Sequence, residues 1–421
     1  MTKSIVLLFD GTANTIREKR TNVLRLHGCL TKDSQQLVWY SPGVGTFAGD
    51  RSFFSFTITP KEVFGMLSGL GVDYYAKQAY RFLCESYDDG RRSDGPDVPP
   101  DKVFLFGFSR GAYIARVLAG FLNAFGMIPK RNLNLLDQAF VTYKGLAERP
   151  PFHPDEAWEQ MELWHRALSP RPVPIECLGL FDTVSSVFEI GRDFLRFRTN
   201  AFTSENPSVK AVRHAIALDD RRGPYHPVRW RESCKGTEEA ERTAYYGQRF
   251  APYDHDGAQQ DIREMWFAGV HSAVGGGISE QHSQLAKIAL DWMIQETSAM
   301  GVRYDQKTVD CIVHGIGEPA CERYVAPSAL GPTKPPSHWL AEPLMRLGWG
   351  LTNLMWRRIE PCDAPFQRVH ITWRGREYYF PIFSNRRLVR PHDLIHSSVR
   401  ERQEQRELAS PNLPAEPNYS D

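Results

Sequence analysis

At 421 residues the chain is long enough to bury a sizeable core and long for one compact unit, so one large domain with insertions, or a large domain with a smaller companion, is expected. Apolar residues make up 42% and charged residues 24%, ordinary for a soluble globular protein, and a formal charge of +1 gives no general pull toward nucleic acid or an anionic membrane. The seven cysteines (Cys29, Cys84, Cys177, Cys234, Cys311, Cys321 and Cys362) are odd in number, widely spaced and never in a CxxC pair, which favours reduced thiols over a disulfide framework or a zinc site.

The first element is a strand at "SIVLLF". Its apolar run from Ile5 to Phe9 meets Asp10 at once and is too short for the apolar part of a signal peptide. The loop after it, "FDGTANT", places Asp10 to fix a turn and Gly11 and Thr12 to present backbone amides. Phosphatases of the haloacid dehalogenase type carry D-x-D-G-T after their first strand; here the nucleophilic position of that pattern is Leu8, which nearly excludes the reading. "QLVWY" reads as a second strand, "VDYYAKQAYRFLCESY" as an amphipathic helix, and "DGRRSDGPDVPP" at about 89–100 as a loop.

The next run, "KVFLFGFSRGAYIARVLAGFL", passes from a strand pattern to a helix pattern with Ile114, Val117, Leu118 and Leu122 at helical spacing. At the junction, Gly107-Phe108-Ser109-Arg110-Gly111 fits G-x-S-x-G, the elbow that holds a nucleophilic serine on a strained strand-to-helix turn. Gly107 and Gly111 are what such a turn demands, because larger side chains there would meet the neighbouring strand or helix. The competing interpretation is an ordinary strand-to-helix turn.

A serine hydroxyl needs a base, and the base needs an orienting carboxylate. The strand-like "PIECLGLF" is followed by Asp182, and the strand-like "EMWFAGV" by His271, so all three groups follow strands, in the order serine, acid, histidine. Asp182 could instead be a turn or helix-cap carboxylate, with Asp219 and Asp220 as the fallback acids, and His271 a satisfied loop histidine. Gly275-Gly276-Gly277 lacks the Lys-Ser/Thr of a phosphate-binding loop and reads as room for close backbone approach around the histidine. An oxyanion would take backbone donors from Arg110 and from Gly11 and Thr12.

The polar stretch at 219–262 reads as an excursion, and "SQLAKIALDWMIQE" as another helix. Strands alternating with amphipathic stretches imply crossover units and a mostly parallel sheet, an α/β architecture. The division expected is a core at 1–310, an accessory or cap region at 311–400 and a frayed, charged tail at 401–421. No run approaches the ~18 apolar residues of a membrane span. Leu344, Leu347, Leu351 and Leu354 recur at helical spacing with Trp349 and Trp356 nearby, which suits either plain core or a lipid-facing lid.

Taken together, "LFDGTANT", "WYSPGVGT", "GLGVDYYAKQAYRFL", "FGFSRGAYIARVLAG", "GLFDTV", "VRHAIALDDRR", "WFAGVHSAVGGG" and "DLIHSSVRER" resemble a family of bacterial and fungal α/β-hydrolase-like proteins that includes the catalytic domain of type VI secretion system phospholipase effectors. The resemblance runs in order from residue 7 to about 402. It implies a serine hydrolase, with phospholipase A activity known for some members, and its motifs put the nucleophile on Ser109, the acid on Asp182 and the base on His271. It implies no metal or organic cofactor, a lipid or ester substrate with peripheral membrane contact, and a secretion-apparatus or immunity partner. The expected localisation is cytoplasmic on synthesis, with export that needs no signal peptide. This chain departs from the family pattern at Ala273 and Ser41, where members often carry an acidic residue. A catalytically silent hydrolase-fold binding module and a cytosolic non-lipid esterase remain the alternatives.

Overall fold

The computed structural model describes residues 2–11, 19–43, 70–146, 154–184, 188–191, 194–197, 200–222, 225, 227–230, 260–334, 357–358, 371–373, 376–379, 386–406 and 410–421. Its centre is an eight-stranded sheet of β1 (Ser4–Phe9), β2 (Gln36–Ser41), β3 (Lys102–Phe108), β4 (Ile175–Phe181), β5 (Val209–Ala217), β6 (Asp261–Phe267), β7 (Leu394–His396) and β8 (Asn418–Ser420). The spatial order is β8-β7-β6-β5-β4-β3-β1-β2, and every neighbouring pair is parallel.

Parallel neighbours need crossovers, and the crossovers cover both faces. Ile5, Leu7 and Phe9 of β1 face one apolar layer, shared with α2 (Leu70–Ser86) and α3 (Arg110–Phe125). Val6 and Leu8 face the other, shared with α1 (Asn22–Cys29) and α5 (Gln284–Ala299), α4 being the short His271–Gly275 helix. Alternate residues of one strand thus serve opposite layers, which is why the central strands read as continuous apolar runs. β1 marks the point where strand order reverses, since β2 lies on one side of it and β3 on the other. Ligand crevices in open parallel sheets form outside the carboxyl ends of the strands at such a point.

The register aligns those ends. Phe9 pairs with Gly107, Phe108 with Phe181, Phe181 with Ala215, and Ala217 with Phe267. Residues that follow β1, β3, β4 and β6 therefore emerge along one rim.

Three expectations are corrected. The described parts of the tail are ordered: residues 401–406 belong to a helix at Ser397–Arg406 and β8 adds the edge strand of the sheet, with the Tyr419 hydroxyl donating to Gln403 at 2.5 Å. The division at 310 and 400 does not hold, because β7 and β8 complete the sheet from beyond both boundaries. Strands of three residues are too short for alternation to reveal them, and the charged, Pro-containing composition around them is that of a frayed tail. Cys311 and Cys321 form a disulfide. Residues 310–314 and 319–323 fold as two tight turns that bring their Cα atoms to 5.0 Å, a proximity the spacing of cysteines does not report. Cys29, Cys84 and Cys177 are free and buried, while Cys234 and Cys362 lie outside the described residues.

Residues 89–100 form the expected irregular loop, whereas most of 219–262 lies outside the described residues. So do Leu344, Leu347, Trp349, Leu351, Leu354 and Trp356. Among the described residues no helix is long and apolar enough to cross a membrane.

Candidate active site

Ser109 occupies the single step between β3 and α3, with φ 58° and ψ −122°. That left-handed conformation costs a non-glycine residue about 1–3 kcal/mol and persists only where the surroundings impose it. The surroundings here are steric and hydrogen-bonded. A β-carbon on Gly111 would lie 2.1 Å from the Phe9 carbonyl oxygen, and one on Gly107 would lie 2.5 Å from the Ala112 backbone. The Ser109 N–H donates to the Phe181 carbonyl at 3.0 Å. α3 can therefore press against the ends of β1 and β3 only through glycines, and the serine absorbs the turn.

The three side chains expected to meet do meet. The Ser109 hydroxyl lies 2.8 Å from His271 Nε2, and His271 Nδ1 lies 2.5 Å from Asp182 Oδ2. Each of the three residues is at most 7% exposed. Asp182 also carries a positive φ, 40°, and its N–H is anchored on the Ala215 carbonyl at 2.7 Å. Burial alone would raise its pKa, yet the Arg387 guanidinium and His271 hold the carboxyl far below the usual range. His271 is shifted down by burial, with Asp182 and Asp220 opposing that shift and Arg222 adding to it. A neutral imidazole between a hydroxyl and an ionised carboxylate can accept a proton from the hydroxyl and be stabilised once it has done so.

The fallback acids hold backbone and not the imidazole ring. Asp220 Oδ2 accepts the His271 N–H at 3.0 Å and pairs with Arg222, while Asp219 Oδ2 accepts the Gly269 N–H at 2.7 Å. Phe108 and Tyr225 flank the imidazole, each with its ring centroid at 4.7 Å. The glycine run gives the close approach expected of it: a β-carbon on Gly275 would fall 1.9 Å from the Phe108 ring. Ala273 is buried in an apolar cluster with Ile216, Leu218, Trp266 and Leu285. Ser41 is buried, and its carbonyl accepts the Asp10 N–H at 3.0 Å.

The expected oxyanion donors fare differently. Arg110 is the first residue of α3, where the leading amides have no intrahelical acceptor, so its N–H stands beside the serine as a donor. The Gly11 N–H instead donates to Asp10 Oδ1 at 2.6 Å, so in this arrangement it is engaged. Thr12 lies outside the described residues. Asp10 does fix its turn, accepting also from Thr21 and Tyr40 at 2.8 Å each. Burial raises its pKa to about 6 in spite of those hydrogen bonds from Tyr40, Thr21 and Gly11.

Two features escaped the sequence reading. Arg387, 5% exposed, donates to both oxygens of Asp182, at 2.5 and 2.9 Å, and to the Ala217 carbonyl at 2.6 Å and the Tyr225 carbonyl. No motif flags it, since it comes from a segment without a strand pattern. The Arg110 side chain keeps Nη1 buried with no hydrogen-bond partner among the described residues. Burial pulls that guanidinium down to about 10, with the Tyr225 phenol opposing the shift. Among the described residues no cluster of His, Cys, Asp and Glu is arranged to hold a metal ion.

Known proteins supply the context for this rim. A search of curated proteins finds an uncharacterized protein of Saccharomyces cerevisiae, 31% identical over 232 residues, covering 53% of this chain and 32% of the yeast protein. Among solved structures, an uncharacterized protein from Pseudomonas aeruginosa superposes with a TM-score of 0.39 at 18% identity, covering 78% of this chain and 49% of that one. The Tle1 effector bound to the VgrG spike of the type 6 secretion system superposes with a TM-score of 0.41 at 13% identity, covering 91% and 92%. The chain thus spans about a third of the yeast relative and about half of the Pseudomonas aeruginosa protein. The sequence profile of the T6SS phospholipase effector Tle1-like catalytic domain matches residues 3–296, which contain Ser109, Asp182 and His271, and the chain belongs to that family.

Proposed function

We propose that the chain is a serine ester hydrolase in which Ser109, His271 and Asp182 act as nucleophile, base and orienting acid. The observation that carries the reading is the continuous hydrogen-bonded path from the Ser109 hydroxyl through both imidazole nitrogens to the Asp182 carboxylate. In the forward step the Ser109 oxygen attacks an acyl carbonyl while its proton passes to His271 Nε2, and the tetrahedral oxyanion takes the Arg110 N–H. Gly11 becomes a second donor if its amide leaves Asp10; Thr12 keeps the role expected from its place in the loop. His271 then returns the proton to the departing alkoxide, leaving an acyl-serine. A water molecule, deprotonated by the same imidazole, releases the acid and restores the hydroxyl.

Within that chemistry the favoured substrate is a glycerophospholipid. Family membership supports it, and so does the Arg110 guanidinium, a largely buried cation next to the nucleophile whose Nη1 has no hydrogen-bond partner among the described residues. A buried donor without an acceptor is costly, and a phosphodiester offers Nη1 the acceptor it lacks. Use as a type VI secretion effector, with contact to the secretion apparatus and an immunity partner, belongs to the same proposal and rests on the family alone.

The test is covalent labelling by a fluorophosphonate together with mass-spectrometric analysis of products from mixed phospholipids, in the native chain and in Ser109→Ala. Labelling confined to the native chain, with release of fatty acid and lysophospholipid, is the expected outcome. Equal activity in both proteins overturns the assignment. Absence of labelling in the native chain replaces it with a silent binding module on a hydrolase fold.

A further inference from the structure

We propose that Arg387 is a positioning residue of this site: its guanidinium holds the Asp182 carboxylate and balances its charge, so that His271 rests as a neutral base. The inference rests on the triad reading above. It concerns a residue beyond the matched region, 205 positions from the carboxylate it grips.

The geometry is that of a fork. Arg387 Nη1 meets Asp182 Oδ1 at 2.5 Å and Nη2 meets Oδ2 at 2.9 Å, the two-point contact that a guanidinium makes with a carboxylate and a lysine cannot. The remaining donors reach backbone on two sides, the Ala217 carbonyl at the end of β5 and the Tyr225 carbonyl. The same Tyr225 packs its ring edge-on against His271, and Ala217 returns an N–H to Asp182 Oδ1 at 2.9 Å. One buried side chain thus ties the acid, the strand end beside it and a wall of the imidazole pocket. Asp182 needs such partners, because a carboxylate with no solvent contact is strongly unfavourable without them.

The charges around the imidazole give the arrangement its consequence. Asp182 and Asp220 supply two negative charges, and Arg387 and Arg222 supply two positive ones. Among the described residues Ser109, Phe108 and Tyr225 adjoin the imidazole as neutral groups, and Arg110 stands near Tyr225 as one further cation. Each acid facing the neutral imidazole thus has its own arginine, Arg387 on Asp182 and Arg222 on Asp220, and the imidazolium formed during attack is matched by the oxyanion. Without Arg387 the Asp182 carboxylate loses the cation that touches it, and its unshielded charge draws a proton onto the imidazole more readily.

The experiment compares Arg387→Met, which keeps bulk without charge, and Arg387→Lys, which keeps charge without the fork, with the native chain. Circular dichroism establishes that each is folded. The titration of the histidine ¹³Cε1 resonance that disappears in His271→Gln reads the imidazole directly and needs no turnover. The acid limb of kcat/KM for a short-chain p-nitrophenyl ester is recorded in parallel. In Arg387→Met the imidazole pKa and the acid limb are expected to rise together by about one pH unit or more. In the same variant kcat falls about ten- to a hundred-fold, with KM nearly unchanged. Arg387→Lys keeps the titration close to native and recovers part of kcat; where Arg387→Met does not fold, this variant and its lowered kcat carry the test. An unchanged imidazole titration in folded Arg387→Met overturns the proposal, as does a lysine variant whose imidazole titrates above the native value. Failure of the native chain to label with fluorophosphonate counts against the hydrolase reading alone, because the titration still decides what Arg387 does to His271.

Discussion

The Ser109 N–H donates to the carbonyl of Phe181, the residue immediately before Asp182, so the turn that carries the hydroxyl and the strand end that carries the acid are bonded backbone to backbone at 3.0 Å. That bond, with the contacts of Gly107 and Gly111, holds Ser109 at φ 58°. The strain should be measurable. Ser109→Ala and Ser109→Gly both remove the nucleophile and should both lower ester hydrolysis by about 10³-fold or more. They differ in backbone. Glycine relieves the positive φ but loses some stability through the entropy of the unfolded chain, leaving Ser109→Gly more stable than Ser109→Ala by about 1 kcal/mol. Urea unfolding midpoints check this, and an alanine variant as stable as the glycine variant would show that the elbow is unstrained.

The downward shift of His271 sets the acid side of activity. Since burial keeps the imidazole neutral below its ordinary value of 6.5, kcat/KM should stay on its plateau to a lower pH than a free imidazole would allow, then fall with a slope of one proton. The stability sign is also determined. Below 6.5 the unfolded chain binds a proton at this position before the folded chain does. The contribution is therefore fully present above 6.5 and lost as pH falls from there through the folded value. The Asp182 carboxyl is depressed as well, so its contribution is present above 3.8 and lost in more acid solution. His271→Gln should reduce the loss that begins near 6.5, which the likewise lowered His27, His214 and His396 share, and retain the one at lower pH. Denaturant titrations between about pH 2 and 8 distinguish the two.

How much of this could be read in the sequence follows from how local each signal is. Ser109 and Asp182 each follow a strand by one position and His271 follows another by four, so strand-end chemistry in a parallel sheet makes their meeting legible from pattern alone. Arg387 has no such address. It stands next to another arginine, Arg386, which is exposed, and nothing in "SNRRLVRPHD" says which of the two turns inward. Its partner Asp182 becomes visible only once the chain has folded back over 205 residues. The engagement of Gly11 by Asp10 is likewise a matter of side-chain rotamer, which pattern does not report. β7 and β8 are three residues each, below the length at which alternation is readable.

The disulfide between Cys311 and Cys321 lies on the far side of α5 in sequence from Ser109, Asp182 and His271 and contacts none of them by hydrogen bond. It closes a loop of ten residues, and restricting such a loop in the unfolded chain is worth about 3 kcal/mol. The double variant Cys311→Ser with Cys321→Ser should lower unfolding free energy by about 2–3 kcal/mol under non-reducing conditions and make stability insensitive to dithiothreitol. Hydrolysis by the folded protein should be unchanged. A native chain whose stability does not respond to dithiothreitol would mean that the bond contributes nothing to the fold.

Arg110 tests the substrate class separately from the chemistry. Its backbone amide is proposed to serve the oxyanion and its guanidinium a phosphodiester, so a side-chain substitution leaves the first role in place and removes the second. Arg110→Met should lower kcat/KM on a phosphatidylglycerol or phosphatidylethanolamine substrate by about ten-fold or more, the loss of one charge-assisted hydrogen-bonded contact. On a neutral p-nitrophenyl ester or a diacylglycerol the same variant should match the native chain or exceed it, because the buried donor without an acceptor is gone. Arg110→Lys retains the charge but not the fork and should fall between the two on phospholipid. Equal losses on charged and neutral substrates would assign Arg110 to the architecture of the elbow and remove the phosphodiester from the recognition scheme.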